Sequence, residues 1–299
     1  MLSILIPTYN YDISILVRKL LEQLKNEKII YEIVVLDDAS TDFSSVEKNK
    51  TIQEIGHCTY ILSEKNAGRT ATRNALAQHA QYDRLLFMDA DVLPKNNDFI
   101  TKFEIETNKA DVIFGGISYE CDKPEKEKML RWKYGKAREA KPVSVRKKTP
   151  HLSIISQCFL IKKEVFLQAN NFLNNAYGVD VLFCQNLEKL KTTVLHIDNP
   201  IIHLGLESNI SFIEKTKKGL ETLVMFESEG KIPNDYRPVQ KAYLSLKNNH
   251  FIKIFCWIMK MSNARIEKNL KSGKPSLFLF DLYKLYYYVQ LKNGSNPKF

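Results

Sequence analysis

Residues 82–94, YDRLLFMDADVLP, pass from a charged start through four apolar residues into two acids separated by one alanine, and close on a proline. The apolar run is too short for a helix and too greasy for a loop, so it predicts a buried strand with Asp89 and Asp91 at its carboxyl end. The same design recurs upstream. LSILIPTY is an apolar run ended by polar residues, YDISILVRKLLEQLKNE repeats apolar residues at helical spacing, and YEIVVLDDAS is a strand ending in Asp37 and Asp38. CTYILSE then predicts a third strand and GRTATRNALAQHA a helix. This alternation predicts an α/β fold with a mostly parallel central sheet flanked by helices. In such sheets ligands bind beyond the carboxyl ends of the strands, where all four acids fall.

Downstream, DVIFGGISYE predicts another strand. KPEKEKMLRWKYGKAREAKPVSVRKKTP, residues 123–150, is too polar to form a core by itself and predicts a helix and loop over the active face. HLSIISQCFLIKKEVF returns to strand character, FLNNAYGVDVLFCQNLEKL reads as a turn and a helix, and TTVLHIDNPIIHLG as a final strand. Residues 221–299 are helical in pattern and basic. Within them, 241–299 carry 11 Lys or Arg against Glu267 and Asp281, a net +9 of the chain's +10.

With 299 residues, 44% hydrophobic and 26% charged, the chain suits one large α/β domain with a modest appendage and not a disordered, collagen-like or disulfide-stapled protein. Five cysteines without a CxxC spacing suit a reducing compartment and disfavour structural zinc. The amino terminus, MLSILIPTYN, reads as a strand and not a signal peptide, and no run approaches a spanning helix. The expected location is cytoplasmic, with association at the inner face of the cell membrane left open.

Three constellations can carry chemistry. Asp89-Ala90-Asp91 sits where a strand turns, so one carboxylate can meet a divalent ion while the other meets a hydroxyl or a water. Hard oxygen ligands favour Mg²⁺ or Mn²⁺, with substrate phosphates completing the sphere. A solvated acidic turn before Leu93 and Pro94 is the plainer alternative. At LDDAS, Asp38 can accept from a nucleobase imide or ribose hydroxyl, while Ser40, Thr41 and Asp42 can cap the next helix. In EKNAGRTATRNALA, Gly68 relieves crowding at a helix start, and Arg69 and Arg73 share a face one turn apart, where a pyrophosphate could rest with Lys65 and Asn66 nearby. An ordinary basic surface helix would look the same. Neither GxGxxG nor GxxxxGK[ST] occurs.

Together IPTYN at 6–10, VVLDDASTD at 34–42, KNAGRTATRNALA at 65–77 and FMDADVLP at 87–94 resemble the family two glycosyltransferases. The resemblance implies the nucleotide-diphospho-sugar transferase (GT-A) fold, inversion at the anomeric carbon, and metal-dependent transfer from a nucleotide-activated sugar, commonly a UDP-sugar. It implies that Pro7, Thr8 and Tyr9 lie against base and ribose, that Asp38 binds uracil or its equivalent, and that Asn66, Arg69, Arg73 and Ala90 complete the donor site. Asp89 would touch the ribose and the metal, and Asp91 would be the principal ligand of Mn²⁺ or Mg²⁺. His203, followed by Leu204-Gly205, matches the histidine that completes the metal sphere or contacts pyrophosphate, and His196 reads as structural. Relatives carry paired acids in patterns such as GxED, whereas this chain reads Tyr177-Gly178-Val179-Asp180, leaving Asp180 as the implied general base. On this reading 1–220 form the catalytic domain, with 1–120 holding the donor and 121–220 the acceptor, and 221–299 form a basic helical extension.

The implied acceptor is a glycan or lipid-linked hydroxyl in bacterial surface-polysaccharide synthesis, such as capsule or lipopolysaccharide. Trp132 and Tyr134 can stack on a sugar or pack within an amphipathic helix. In the tail, Phe251, Ile254, Phe255, Trp257, Ile258 and Met261 form one apolar stripe, and Phe278, Leu279, Leu282, Leu285, Tyr286 and Tyr288 another. With Lys253 and Lys260 beside the first, they suit peripheral membrane contact or packing on the protein, including a homodimer. Nucleic acid is not an expected partner. Val179 keeps a second reading alive, a degenerate nucleotide-sugar-binding partner of another transferase.

Overall fold

The computed structural model describes residues 1–25, 27–172 and 176–294. The chain divides into two compact units: Met1–Glu120, Arg138–Asn175 and Phe183–Gly205 form the first, and Cys121–Ala137, Ala176–Leu182 and Leu206–Phe299 the second.

Among the described residues the first unit holds ten strands: β1 (Leu2–Thr8), β2 (Tyr31–Asp37), β3 (Cys58–Leu62), β4 (Arg84–Met88), β5 (Val92–Pro94), β6 (Val112–Phe114), β7 (Ile117–Ser118), β8 (Cys158–Lys162), β9 (Val194–His196) and β10 (Ile201–His203). Seven form the central sheet in the order β3-β2-β1-β4-β8-β6-β9. The four amino-terminal strands are parallel, with Thr8 level with Asp37. β8 alone runs against its neighbours, placing Cys158 opposite Met88. The sheet is α/β as the sequence predicts, mixed at this one strand. The strands at its centre, β1, β2, β4 and β8, are buried nearly throughout, as expected where helices cover both faces. Phe87, Phe159 and Phe166 fill the space beneath β4 and β8, with Phe87 and Phe166 centroids 4.3 Å apart.

A second sheet, β5-β10-β7, sets His203 level with Val92. It exists because two expected strands each divide. DVIFGGISYE breaks at Gly115-Gly116: a Cβ on Gly115 would sit 2.1 Å from the Asn199 carbonyl oxygen, and Gly116 has φ +103° against the Arg146 guanidinium. TTVLHIDNPIIHLG likewise separates into β9 and β10 around Asp198-Asn199-Pro200. Buried Arg146 donates to the carbonyls of Phe114, Gly115 and Ile197 and faces His196 Nδ1 at 3.2 Å, fastening both breaks. HLSIISQCFLIKKEVF is strand only over β8 and continues as the helix Lys163–Ala169.

In the second unit the helices Asn209–Ser228, Ile252–Leu270 and Leu277–Lys292 enclose a core of Leu130, Phe212, Ile213, Met259, Ile266, Leu270, Phe280, Tyr283 and Tyr286, and the helix Pro238–Asn248 packs on Leu277–Lys292 through Tyr243 and Tyr288. Ser208 and Ser276 cap two of the helices, and Pro238 starts a third. The helix Asn209–Ser228 runs unbroken through position 220 and lies wholly in this unit. The polar segment 123–150 is shared between the units. Its helix Met129–Tyr134 contributes Leu130 to the helical core, and Tyr134 packs on Phe212 and Phe280, so the sugar-stacking alternative gives way to packing for that ring. Trp132 is buried, with the Lys136 ammonium 4.5 Å from its ring. Among the described residues no helix is long and apolar enough to cross a membrane.

Candidate functional site

The carboxyl ends of β1, β2 and β4 lie side by side, and the loops beyond them are cross-linked by short polar contacts. Asn10, with φ 51°, accepts at Oδ1 from the backbone of Thr41 and Asp42, while its own N–H donates to Ser40 Oγ at 2.7 Å. Asparagine suits this latch because it tolerates the left-handed region and its side chain reaches nearby backbone. Thr8 is buried behind the latch, Pro7 is half-buried, and Tyr9 projects with 49% of its surface exposed.

Asp37 and Asp38 are both engaged by the protein. Asp37 accepts from Ser40 N–H and the Tyr60 hydroxyl. Asp38 accepts from the N–H groups of Ala67 and Gly68 at 2.7 and 2.9 Å, which ties β2 to the start of the helix Arg69–His79, and Asn66 donates to its carbonyl. Gly68 precedes that helix with φ 85°, a conformation costly for any residue with a Cβ. Asp42 performs the expected capping, accepting from Ser44 and Ser45.

Arg69 and Arg73 project from one face of this helix onto Asp89. Arg69 donates to its Oδ2 at 2.7 Å and Arg73 to its Oδ1 at 2.5 Å. Ser156, from the lead-in to β8, accepts from both arginines, through its hydroxyl and its carbonyl respectively, and Asp89 N–H donates to the Gln157 carbonyl. Both oxygens of Asp89 therefore serve guanidinium groups.

Asp91 is placed otherwise. Its Oδ2 lies 3.3 Å from His203 Nε2, and Leu204 N–H donates to its carbonyl. A Cβ at position 205 would fall 1.8 Å from Oδ2, so a larger residue there would have to displace the Asp91 carboxylate. Burial raises the Asp91 pKa, but the hydrogen bond and charge of His203 and the charge of Arg69 outweigh it, and the net shift is downward. Tyr11 feels the same carboxylate: burial first, then Asp91 and Asp12, push its hydroxyl pKa up. His203 is itself buried, its ring edge-on to Tyr119 at 5.6 Å.

No group of three or more His, Cys, Asp or Glu among the described residues is arranged to hold a metal ion. Asp91 and His203 could supply one or two ligands to Mn²⁺ or Mg²⁺, with phosphate and water supplying the rest. His196 is structural, buried between Pro150 and Arg146, and burial lowers its pKa to about 4.

Asp180 belongs to the second unit. It opens the helix Asp180–Lys189, two residues after Gly178, whose φ is 90° and whose Cβ, if present, would meet Gly219 Cα at 2.9 Å. Tyr177 lies under the Lys215 ammonium, 5.9 Å from its ring centroid. The turn carrying Asp180 is thus seated on the helix Asn209–Ser228. Sequence reasoning missed Asn10, Ser156 and Arg146. Asn10 was legible as an asparagine ending an apolar run. Ser156 carried no signal, because it acts on an arginine 87 positions away.

The Glycosyl transferase family 2 model matches residues 3–168. A putative glycosyltransferase, CsbB, of Bacillus subtilis is 22% identical over 72% of this chain and 68% of its own length. The putative colanic acid biosynthesis glycosyl transferase WcaA of Escherichia coli is 28% identical over 30% of this chain and 32% of its own. Among solved structures, the mannosyltransferase PcManGT from Pyrobaculum calidifontis, in complex with GDP-Man and Mn²⁺, shares 16% identity at a TM-score of 0.61, covering 99% of this chain and 88% of that one. Glucosyl-3-phosphoglycerate synthase from Mycobacterium tuberculosis, with Mg²⁺ and UDP, shares 14% identity at a TM-score of 0.51, covering 78% and 80%. At such identities these two carry the fold. The match to the family model spans more than half of the chain, which belongs to glycosyl transferase family 2 and is a glycosyltransferase of GT-A architecture.

Proposed function

We propose that the protein is an inverting transferase that moves a sugar from a nucleoside diphosphate donor, UDP being the first candidate, to a hydroxyl of a glycan or lipid-linked acceptor in surface-polysaccharide synthesis, working at the inner face of the cell membrane. The observation that carries this is the convergence of Asp91 and His203 beside the guanidinium of Arg69. A divalent ion held by Asp91 and His203 would offset charge on the departing diphosphate. PcManGT and the mycobacterial synthase, solved with nucleotides and Mn²⁺ or Mg²⁺, support that choice of ion.

Pro7, Thr8 and Tyr9 line the nucleoside side, and the exposed Tyr9 ring offers a face to the base. Asp38 and Asn66 hold the loop on which the base rests, and Asp89 with Ala90 holds the ribose side. In this account Asp89 chiefly aims Arg69 and Arg73, so that Arg69, the more exposed of the two, meets the diphosphate. Asp180 takes the proton from the attacking hydroxyl, and attack opposite the leaving group inverts the anomeric centre. Nothing in the proposal requires a covalent intermediate.

Val179 favours one second reading, a sugar-nucleotide-binding partner without transfer of its own. Sugar transfer from a panel of nucleotide sugars, measured with wild type and Asp180→Asn, separates the two. Transfer by wild type that falls by about 10²-fold or more in Asp180→Asn, with donor affinity kept, supports the enzyme. Metal-dependent donor binding with no transfer by wild type supports the partner.

A further inference from the structure

The helix Ile252–Leu270 has two apolar faces, and among the described residues only one is covered. Phe255, Met259, Ile266 and Leu270 enter the helical core. On the opposite face Ile254, Trp257, Ile258 and Met261 recur at the three-four spacing of a helix and stand 55%, 65%, 49% and 71% exposed. Phe251, at the amino terminus of the helix, is exposed as well. A contiguous patch of large apolar side chains, one of them a tryptophan, marks a surface that meets something other than water.

The charges around the patch say what it meets. Lys253 and Lys260 flank it, and one turn further the same face continues as Arg265 and Lys268, all exposed. The one acid of the helix, Glu267, is turned to Lys271 at 3.1 Å. A second copy packed face to face would bring these like charges together. A nucleic acid would meet aliphatic chains and a single indole where it needs a row of stacking rings. An anionic bilayer satisfies both features, since headgroup phosphates take the ammonium and guanidinium groups while Trp257 and its aliphatic neighbours enter the acyl boundary.

We infer that the outward face of the helix Ile252–Leu270 is a docking surface for an anionic phospholipid membrane, laid in the plane of the interface. The inference deepens the reading of a membrane-linked acceptor by naming the surface that reaches it. Its test needs no sugar transfer, so the two can fail separately.

The full chain is floated with vesicles of phosphatidylcholine alone and of phosphatidylcholine with one third phosphatidylglycerol. The wild type is expected to rise with the anionic vesicles, with blue-shifted Trp257 emission. Trp257→Ser with Ile258→Ser, at exposed positions where folding is little affected, should weaken partitioning by about tenfold or more. Lys253→Glu with Lys260→Glu should weaken it similarly on anionic vesicles, and raised salt should mimic this change. Circular dichroism reports whether each variant keeps its fold. No flotation with anionic vesicles overturns the inference, as does flotation that the folded variants leave unchanged. A wild-type dimer that Trp257→Ser dissociates, without vesicle binding, overturns it in favour of a second copy.

Discussion

At the carboxyl end of β2 both acids are held by several donors of the protein, and at the end of β4 Asp89 is held by two arginines while Asp91 faces a histidine at 3.3 Å. Asp37 and Asp38 are spent on two backbone amides in one loop, another amide and a tyrosine hydroxyl. Asp89 is spent on two arginines, and the Asp91 Oδ2 meets His203 while lying against the backbone of Gly205, in the place a side chain there would take. Four acids that look alike in the sequence thus differ in their surroundings: three are bound by amides, a tyrosine or arginines, and Asp91 faces a histidine, which is why we propose it as the residue that receives an ion from outside. The difference is made by what lies opposite each carboxylate, and those partners come from distant parts of the chain.

The comparison breaks most visibly at Asp89. Arg73 is nearly buried, so Asp89→Asn leaves a buried guanidinium without its charge partner and should cost about 3–5 kcal/mol in chemical denaturation. A loss below about 1 kcal/mol would mean that Asp89 does not hold the arginines. The end of β9 offers a third case, a basic residue kept neutral. Burial lowers the His196 pKa from its ordinary 6.5 to about 4, so the unfolded chain takes up the proton first as pH falls. That contribution to stability is complete above about pH 6.5 and declines toward pH 4 by up to about 3 kcal/mol. Denaturation midpoints across this window, compared with those of His196→Gln, should show the slope in wild type and a flatter curve in the variant.

Asp38→Ala should be milder, about 1–2 kcal/mol, because it strands two N–H groups of which only Gly68 is well buried. Its sharper signature is loss of order at the start of the helix Arg69–His79, read as faster amide exchange at residues 67–70. Asp91→Ala should change stability least, by about 1 kcal/mol, since the Asp91 side chain is 30% exposed although its partner His203 is buried. Small cost with large loss of ligand binding is what separates Asp91 from the other three.

Much of this was legible from residue order. Apolar runs ending in acids, with helical spacing between them, define β1 to β4 and place Asp37, Asp38, Asp89 and Asp91 at one edge of the sheet. What stayed illegible depended on long-range geometry. The antiparallel entry of β8, which brings Ser156 to the arginines, has no local signature. The division of DVIFGGISYE at Gly115-Gly116 depends on Asn199 and Arg146 arriving from elsewhere. For the tail, the stripe of Ile254, Trp257, Ile258 and Met261 was visible as a pattern, but only packing shows that Phe255 turns inward while those four stay out. Tyr286 and Tyr288, read as part of a second stripe, are buried.

The most direct test of the account is calorimetric titration of nucleoside diphosphates and nucleotide sugars into wild type and Asp91→Ala, with Mn²⁺, with Mg²⁺ and with chelator. The account predicts binding of one nucleotide class that needs the metal and falls by about 10²-fold or more in Asp91→Ala, while the denaturation midpoint stays close to wild type. Metal-dependent binding of equal strength in the folded variant would contradict it and move the ligand site away from Asp91.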